Sequence, residues 1–102
     1  MPKLLGVKPS NRREKKVMAI FYTDDKKIKI IHFGSPDYKD YTSFSESERD
    51  ERKERYLKRH EKRELKLWEE EPMSPASLSR WILWNKPSFR ESVKDFKKRF
   101  NL

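Results

Sequence analysis

Two histidines, His32 and His60, and three serines at helix starts, Ser74, Ser77 and Ser79, are the side chains of this sequence best suited to bond-making chemistry. There is no cysteine, so thiolate metal ligands and disulfides are excluded. Neither histidine sits in a His-x-x-x-His or Glu-x-x-His pattern, and a tetrahedral zinc site is not expected. Capping accounts for the serines, none of which is flanked as Gly-x-Ser-x-Gly. Gly6 and Gly34 are the only glycines, too few for a dinucleotide or phosphate-binding loop. The expectation is a non-enzymatic protein with no catalytic residue, no cofactor and no metal.

The chemistry that the residue types do support is charge recognition. Lys and Arg number 26 against 17 Asp and Glu, a formal net charge of +9. The excess lies at the two ends. Lys3, Lys8, Arg12, Arg13, Lys15 and Lys16 oppose only Glu14, and Lys86, Arg90, Lys94, Lys97, Lys98 and Arg99 oppose Glu91 and Asp95, while positions 17–85 are neutral. Within that neutral stretch, Arg52, Arg55, Arg59, Lys62, Arg63 and Lys66 fall in an arc of about 100° if the segment is helical, a basic stripe separate from the apolar arc of Tyr56, Leu57, His60, Leu67 and Trp68. Such surfaces attract nucleic acid, acidic protein surfaces or an anionic membrane face. The densest aromatic stretch, Ser79 to Ser88, adds Trp81 and Trp84 beside Arg80 and Lys86; Trp and Arg dominate interface hot spots, although both indoles can equally be accommodated by packing within the fold. The candidate partner- or polyanion-binding residues are therefore Lys8, Arg12 and Arg13, the six cations of the stripe, and Arg80, Trp81, Trp84 and Lys86.

These residues need elements to position them. Lys16–Thr23 and Lys27–Phe33 are rich in β-branched and aromatic residues, and Asp24-Asp25-Lys26 between them has hairpin length. Ser45-x-x-Glu48 is a capping box opening a run without Gly or Pro that predicts a long charged helix to about Trp68, ended by Glu69-Glu-Glu-Pro72. Ser74-Pro75 predicts a second helix reaching Asn85, and Ser88-x-x-Glu91 a third, whose Phe89, Val93, Phe96 and Phe100 recur on one face. The fold class is α+β: an N-terminal β-hairpin followed by one long charged helix and two shorter amphipathic helices. Residues 1–15, with Leu4, Leu5 and Val7 their only branched apolar side chains, read as an extended basic arm, and 16–102 as a single small domain. Ile28 and Ile30, or the residues alternating with them, should share one core with Tyr56, Trp81 and Phe96.

Composition agrees with one small domain. A third of the residues are apolar, which limits the core, yet 13% are aromatic, more than a disordered chain of this charge would carry. The longest apolar run, Val17–Tyr22, is far short of a membrane span, and 1–9 lacks a signal-peptide apolar stretch, so a soluble, unprocessed chain is expected.

His32-Phe-Gly-Ser35, Asp40-Tyr-Thr42, Glu51-Arg-Lys-Glu-Arg-Tyr-Leu-Lys-Arg-His-Glu-Lys-Arg-Glu64, Leu78-Ser-Arg-Trp-Ile-Leu-Trp-Asn-Lys-Pro-Ser88 and Asp95-Phe-Lys-Lys-Arg-Phe100 resemble, in order and over about 16–100, a family of small basic proteins of nucleocytoplasmic large DNA viruses and related algal sequences. Departures are Ser74-Pro75-Ala76, where relatives often carry a small-Gly step, and a loop after Gly34 without a second glycine. The resemblance implies no catalytic residue. It implies a structural component of a large DNA virus particle, a minor capsid protein whose partners are major and minor capsid proteins, located in the virion and, during assembly, in host cytoplasm or nucleus. The alternative is a nucleic-acid-binding protein on the viral genome.

Overall fold

The structure is a computed structural model, described here for residues 2–102. The chain is α+β, strands first and helices after. β1 (Lys3–Pro9), β2 (Val17–Tyr22) and β3 (Ile28–Phe33) form an antiparallel sheet in the order β1-β2-β3. They are followed by α1 (Arg49–Glu70), α2 (Pro75–Leu78), a π-helical turn (Ser79–Leu83) and α3 (Phe89–Arg99).

The β2–β3 hairpin follows the alternation of its residues. Val17, Ala19 and Phe21 face inward and are buried, and Phe33 lies opposite Val17. Of the two isoleucine registers open to β3, the structure selects the one that turns Ile31 and Phe33 toward the core and leaves Ile28 and Ile30 about half exposed. The turn uses Thr23, whose N–H donates to Lys27 O, and Lys26 in the left-handed region at φ 63°.

Within the stretch read as an extended arm, Lys3–Pro9 differ most from the sequence reading. They form a strand: Leu4 pairs with Phe21 and is 4% exposed, and Val7 packs on the core opposite Ala19. Few apolar residues suffice there because β2 supplies a ladder for the backbone. A bulge between Leu4 and Gly6 leaves Leu5 exposed while restoring the register for Val7.

The inner face of the sheet meets Leu78, Ile82, Leu83 and Phe96, and all four are buried. Ser74 caps α2 by accepting from Ser77 N–H, and Ser88 caps α3 by accepting from Glu91 N–H, as their spacing predicts. The expected second helix is shorter than its pattern. After Leu78 it widens, and Trp84 N–H reaches Ser79 O, an i→i+5 bond. Gly34, at φ 83°, lies where a Cβ would stand 2.8 Å from Leu83 Cδ1, so a side chain there would meet a strained backbone and force the Leu83 methyl to move.

The capping box expected at Ser45 does not form. Ser45 O accepts from the N–H groups of Glu48 and Arg49 in a separate turn, and α1 starts at Arg49 without a side-chain cap. Phe44, just before this turn, lies 6.2 Å from the Trp84 ring. The first-turn carboxylates Asp50 and Glu51 complement the dipole instead, and Asp50 accepts from Tyr41 Oη. At its far end α1 reaches Glu70 before Pro72 stops it.

Candidate polyanion-binding groove

A groove of about 870 Å³ runs between α1, the segment after β3, and the turn that joins β1 to β2. One wall is the face of α1 carrying Arg52, Arg55, Arg59 and His60. Lys39 lies on the opposite loop, and Lys15 and Lys16 come from the β1–β2 turn. Phe33, Phe44, Tyr56, Leu83 and Trp84 supply the apolar lining. The lining holds six cations against the carboxylates Glu14, Asp40 and Glu64, an excess of three positive charges.

The loop opposite α1 is fixed by Asp40. Its carboxylate is buried and accepts from Thr42 N, Thr42 Oγ1 and Ser43 Oγ, while Lys16 Nζ donates to it at 2.9 Å and to Tyr38 O at 2.6 Å. Lys16 is thereby a structural cation. Tyr41 N–H donates to Leu83 O, tying the loop to the π turn, and its hydroxyl, bonded to Asp50 and drawn toward that carboxylate, is raised in pKa above the ordinary phenol value.

The aromatic wall is a stack. Tyr56 lies 4.6 Å from Trp84 at 7° between planes, 6.3 Å from Trp68, and 4.5 Å from the His60 imidazole. Burial pushes the Tyr56 phenol well above its ordinary pKa, with Glu64 adding to the shift. His60 Nδ1 is 2.8 Å from Glu64 Oε2, and the other carboxylate oxygen of Glu64 accepts from Trp68 Nε1. This His–carboxylate pair is dyad-like, but among the described residues no serine hydroxyl bonds to the imidazole, and the pair locks side chains on α1. Among the described residues there is also no cluster of three metal-ligating groups.

The structure sorts the candidate residues. It brings Arg52, Arg55 and Arg59 to the groove, where Arg52 and Lys39 both lie over the Phe44 ring, at 5.3 Å and 5.9 Å. Arg55 reaches Glu51 at 2.8 Å on an exposed face. Lys62, Arg63 and Lys66 continue the stripe beyond the groove and are exposed. Lys8 is exposed on β1, Arg12 and Arg13 are exposed in the turn leading to Lys15, and Lys86 is exposed at the start of the loop before α3. None of these four lines the groove.

Arg80, Trp81 and Trp84 are partly buried and packed on one another and on Trp68 and Tyr56. The Arg80 guanidinium lies 4.1 Å from the Trp81 ring centre and 5.7 Å from that of Trp68, and Nη1 donates to Trp84 O. Arg99 covers Trp81 at 3.7 Å, and Trp81 Nε1 donates to Trp68 O at 2.8 Å. Trp84 also enters the wall of the groove, so of the three it retains an outward role. Lys15 and Lys39 were missed by sequence reasoning, because both come from turns with no periodicity to mark a shared face. Lys53, whose Nζ donates to Asn85 O, is lowered in pKa by burial, then by the Arg80 charge.

Residues 5–60 match the model of a family of unknown function, DUF5754. The chain belongs to this family. The DUF5754 match spans most of the sheet, the loop fixed by Asp40, and α1 as far as His60, which includes the six cations of the groove but not Leu83 and Trp84 of its apolar lining. No curated protein and no solved structure matches the chain.

Proposed function

We propose that this chain is a non-enzymatic structural protein of a large DNA virus particle, a minor capsid component that holds acidic segments of neighbouring capsid proteins in its cationic groove. The observation that carries the reading is the convergence of Arg52, Arg55 and Arg59 with Lys15 and Lys39, drawn from three separate segments, around an aromatic wall. Guanidinium groups pair with carboxylates in two-point geometry, and the apolar lining accepts the side chains between them. Glu14 in the same lining suits a peptide with occasional basic residues better than a continuous phosphate backbone. The placement in a virus particle rests on the motif resemblance described above. In this reading α1 is a charged rod presented to partners, and the shorter helices bind it to the sheet through their apolar faces.

A nucleic-acid reading has its own support in the exposed stripe Lys62, Arg63 and Lys66, which prolongs the basic face along a helix of 22 residues. Salt titration separates the two. Binding of the full chain to a Glu-rich peptide and to a single-stranded oligonucleotide should be followed by fluorescence anisotropy between low and physiological salt. The capsid reading expects tighter peptide binding, lost in Arg52→Ala/Arg55→Ala/Arg59→Ala, together with failure of that variant to enter particles. Oligonucleotide binding that is tighter, falls by about 0.7 log unit per phosphate contact for each log unit of salt, and weakens on replacing Lys62, Arg63 and Lys66 would favour the alternative. Normal incorporation of the triple arginine variant would overturn the groove as the docking site.

A further inference from the structure

The sheet has two open edges, and they differ. β1 is interrupted by the bulge at Leu4/Gly6 and ends at Pro9, both of which spoil a template for strand addition. β3 is regular throughout, with no glycine, proline or bulge between Ile28 and Phe33. Its hydrogen-bond phase is fixed by the hairpin. Thr23 N–H donates to Lys27 O, so Phe21/Lys29, Ala19/Ile31 and Val17/Phe33 are the bonded pairs, and the backbone N–H and C=O groups of Ile28, Ile30 and His32 point off the free edge. The β1 side agrees: Ser10 N–H donates to Lys16 O, which leaves Pro9, having no N–H, at a non-bonded position.

We infer that two copies of this chain associate by antiparallel pairing of their β3 edges about a two-fold axis at Ile30. The edge is self-complementary in that register. Ile30 meets Ile30 of the second copy, and Ile28 meets its His32, each pair exchanging two backbone hydrogen bonds. The only charge within the strand, Lys29, falls opposite Ile31, and Lys27 falls opposite Phe33, so no like charges stand directly across the junction. On the outer face, Ile20 and Ile30 are cross-strand neighbours, and the pairing extends them into one row through both copies. Ile28, Ile30 and Tyr22 on that face are 56%, 47% and 40% exposed in the single chain. The net charge of +9 opposes association, but its excess lies outside β3, so added salt should strengthen the pairing while it weakens any polyanion contact.

The test is sedimentation of the full chain at increasing concentration, in low and high salt. A monomer–dimer equilibrium that shifts toward dimer with salt is expected. Because the chain lacks cysteine, Ile30→Cys should oxidise to a covalent dimer, since bonded antiparallel partners lie about 5.5 Å apart at Cα, within disulfide reach. Lys29→Cys should not, its partner position being Ile31. Ile30→Pro removes an N–H that points away from β2 and should abolish the dimer with the circular dichroism spectrum kept; Ile30→Lys, which sets two cations face to face, serves if the proline variant unfolds. A chain monomeric under all conditions, a dimer that survives both substitutions, equal cross-linking at position 29, or binding of an acidic strand peptide at this edge without self-association would each overturn the inference.

Discussion

Two packed layers meet at the π turn, and they are built on different chemistry. Beneath the sheet, Val17, Ala19, Phe21 and Phe33 pack on Leu78, Ile82, Leu83 and Phe96, a cluster of aliphatic and phenyl side chains. Beneath α1, Tyr56, Trp68, Trp81 and Trp84 are interleaved with Arg80, Arg99, His60 and Glu64, and each indole of Trp68 and Trp81 donates a hydrogen bond. The first layer is non-directional and holds the chain together by area removed from water. The second holds α1 at a fixed angle, because its polar contacts have geometry as well as energy. The comparison teaches that the groove depends on the second layer: Tyr56 and Trp84 are its wall as well as its fastening.

Substitutions in the dry layer should be the most costly. Phe96→Ala empties a fully buried site and should lose about 3–5 kcal/mol in urea unfolding. Loss below about 1 kcal/mol would mean that α3 does not belong to this core. Gly34→Ala should lose about 2–4 kcal/mol, combining a left-handed backbone with a Cβ against Leu83, and thermal melting would register it directly. In the aromatic layer, Trp81→Phe keeps most of the apolar area but deletes the bond to Trp68 O, for about 0.5–1.5 kcal/mol. A loss as large as that of Phe96→Ala would erase the distinction between the layers.

The aromatic layer should also be the one that responds to alkali. Tyr56 has its folded pKa raised by burial, so the stability that its neutral phenol contributes is complete below the unfolded value of about 10 and is lost as pH rises beyond it. Urea midpoints should therefore fall above about pH 10, and Tyr56→Phe should flatten that fall. Tyr41, raised by its bond to Asp50, adds to the fall, and Lys53, lowered by burial, opposes it in the same range. Smallest of all, Arg55→Ala should change stability by less than about 0.5 kcal/mol, since its pair with Glu51 is exposed, while weakening binding of a Glu-rich peptide. A stability loss with unchanged peptide binding would place Arg55 in the scaffold rather than the site.

Much of the secondary structure is legible in order and type. Alternating β-branched residues mark β2 and β3, and Ser74 and Ser88 mark two helix starts that the structure uses. Ser45 gives the same local signal and is not used: the chain turns once more before the helix begins, with Ser45 O accepting from Glu48 and Arg49. The stripe of Arg52, Arg55 and Arg59 is likewise readable from helical spacing, being set by residues three and four apart on one element.

What the sequence by itself determined depends on neighbours along the chain: the residues of the β2–β3 hairpin, the charged helix, the caps at Ser74 and Ser88, and the concentration of positive charge at the ends. Only the tertiary structure decided which face of β3 is inner, that residues 3–9 complete a sheet, that Trp81 and Arg80 turn inward, and that Lys15 and Lys39 join the arginines of α1. The physical reason is that strand pairing and groove closure are contacts between residues far apart in sequence. Backbone ladders are indifferent to side-chain type, and a cation in a turn carries no periodicity that says what it will face.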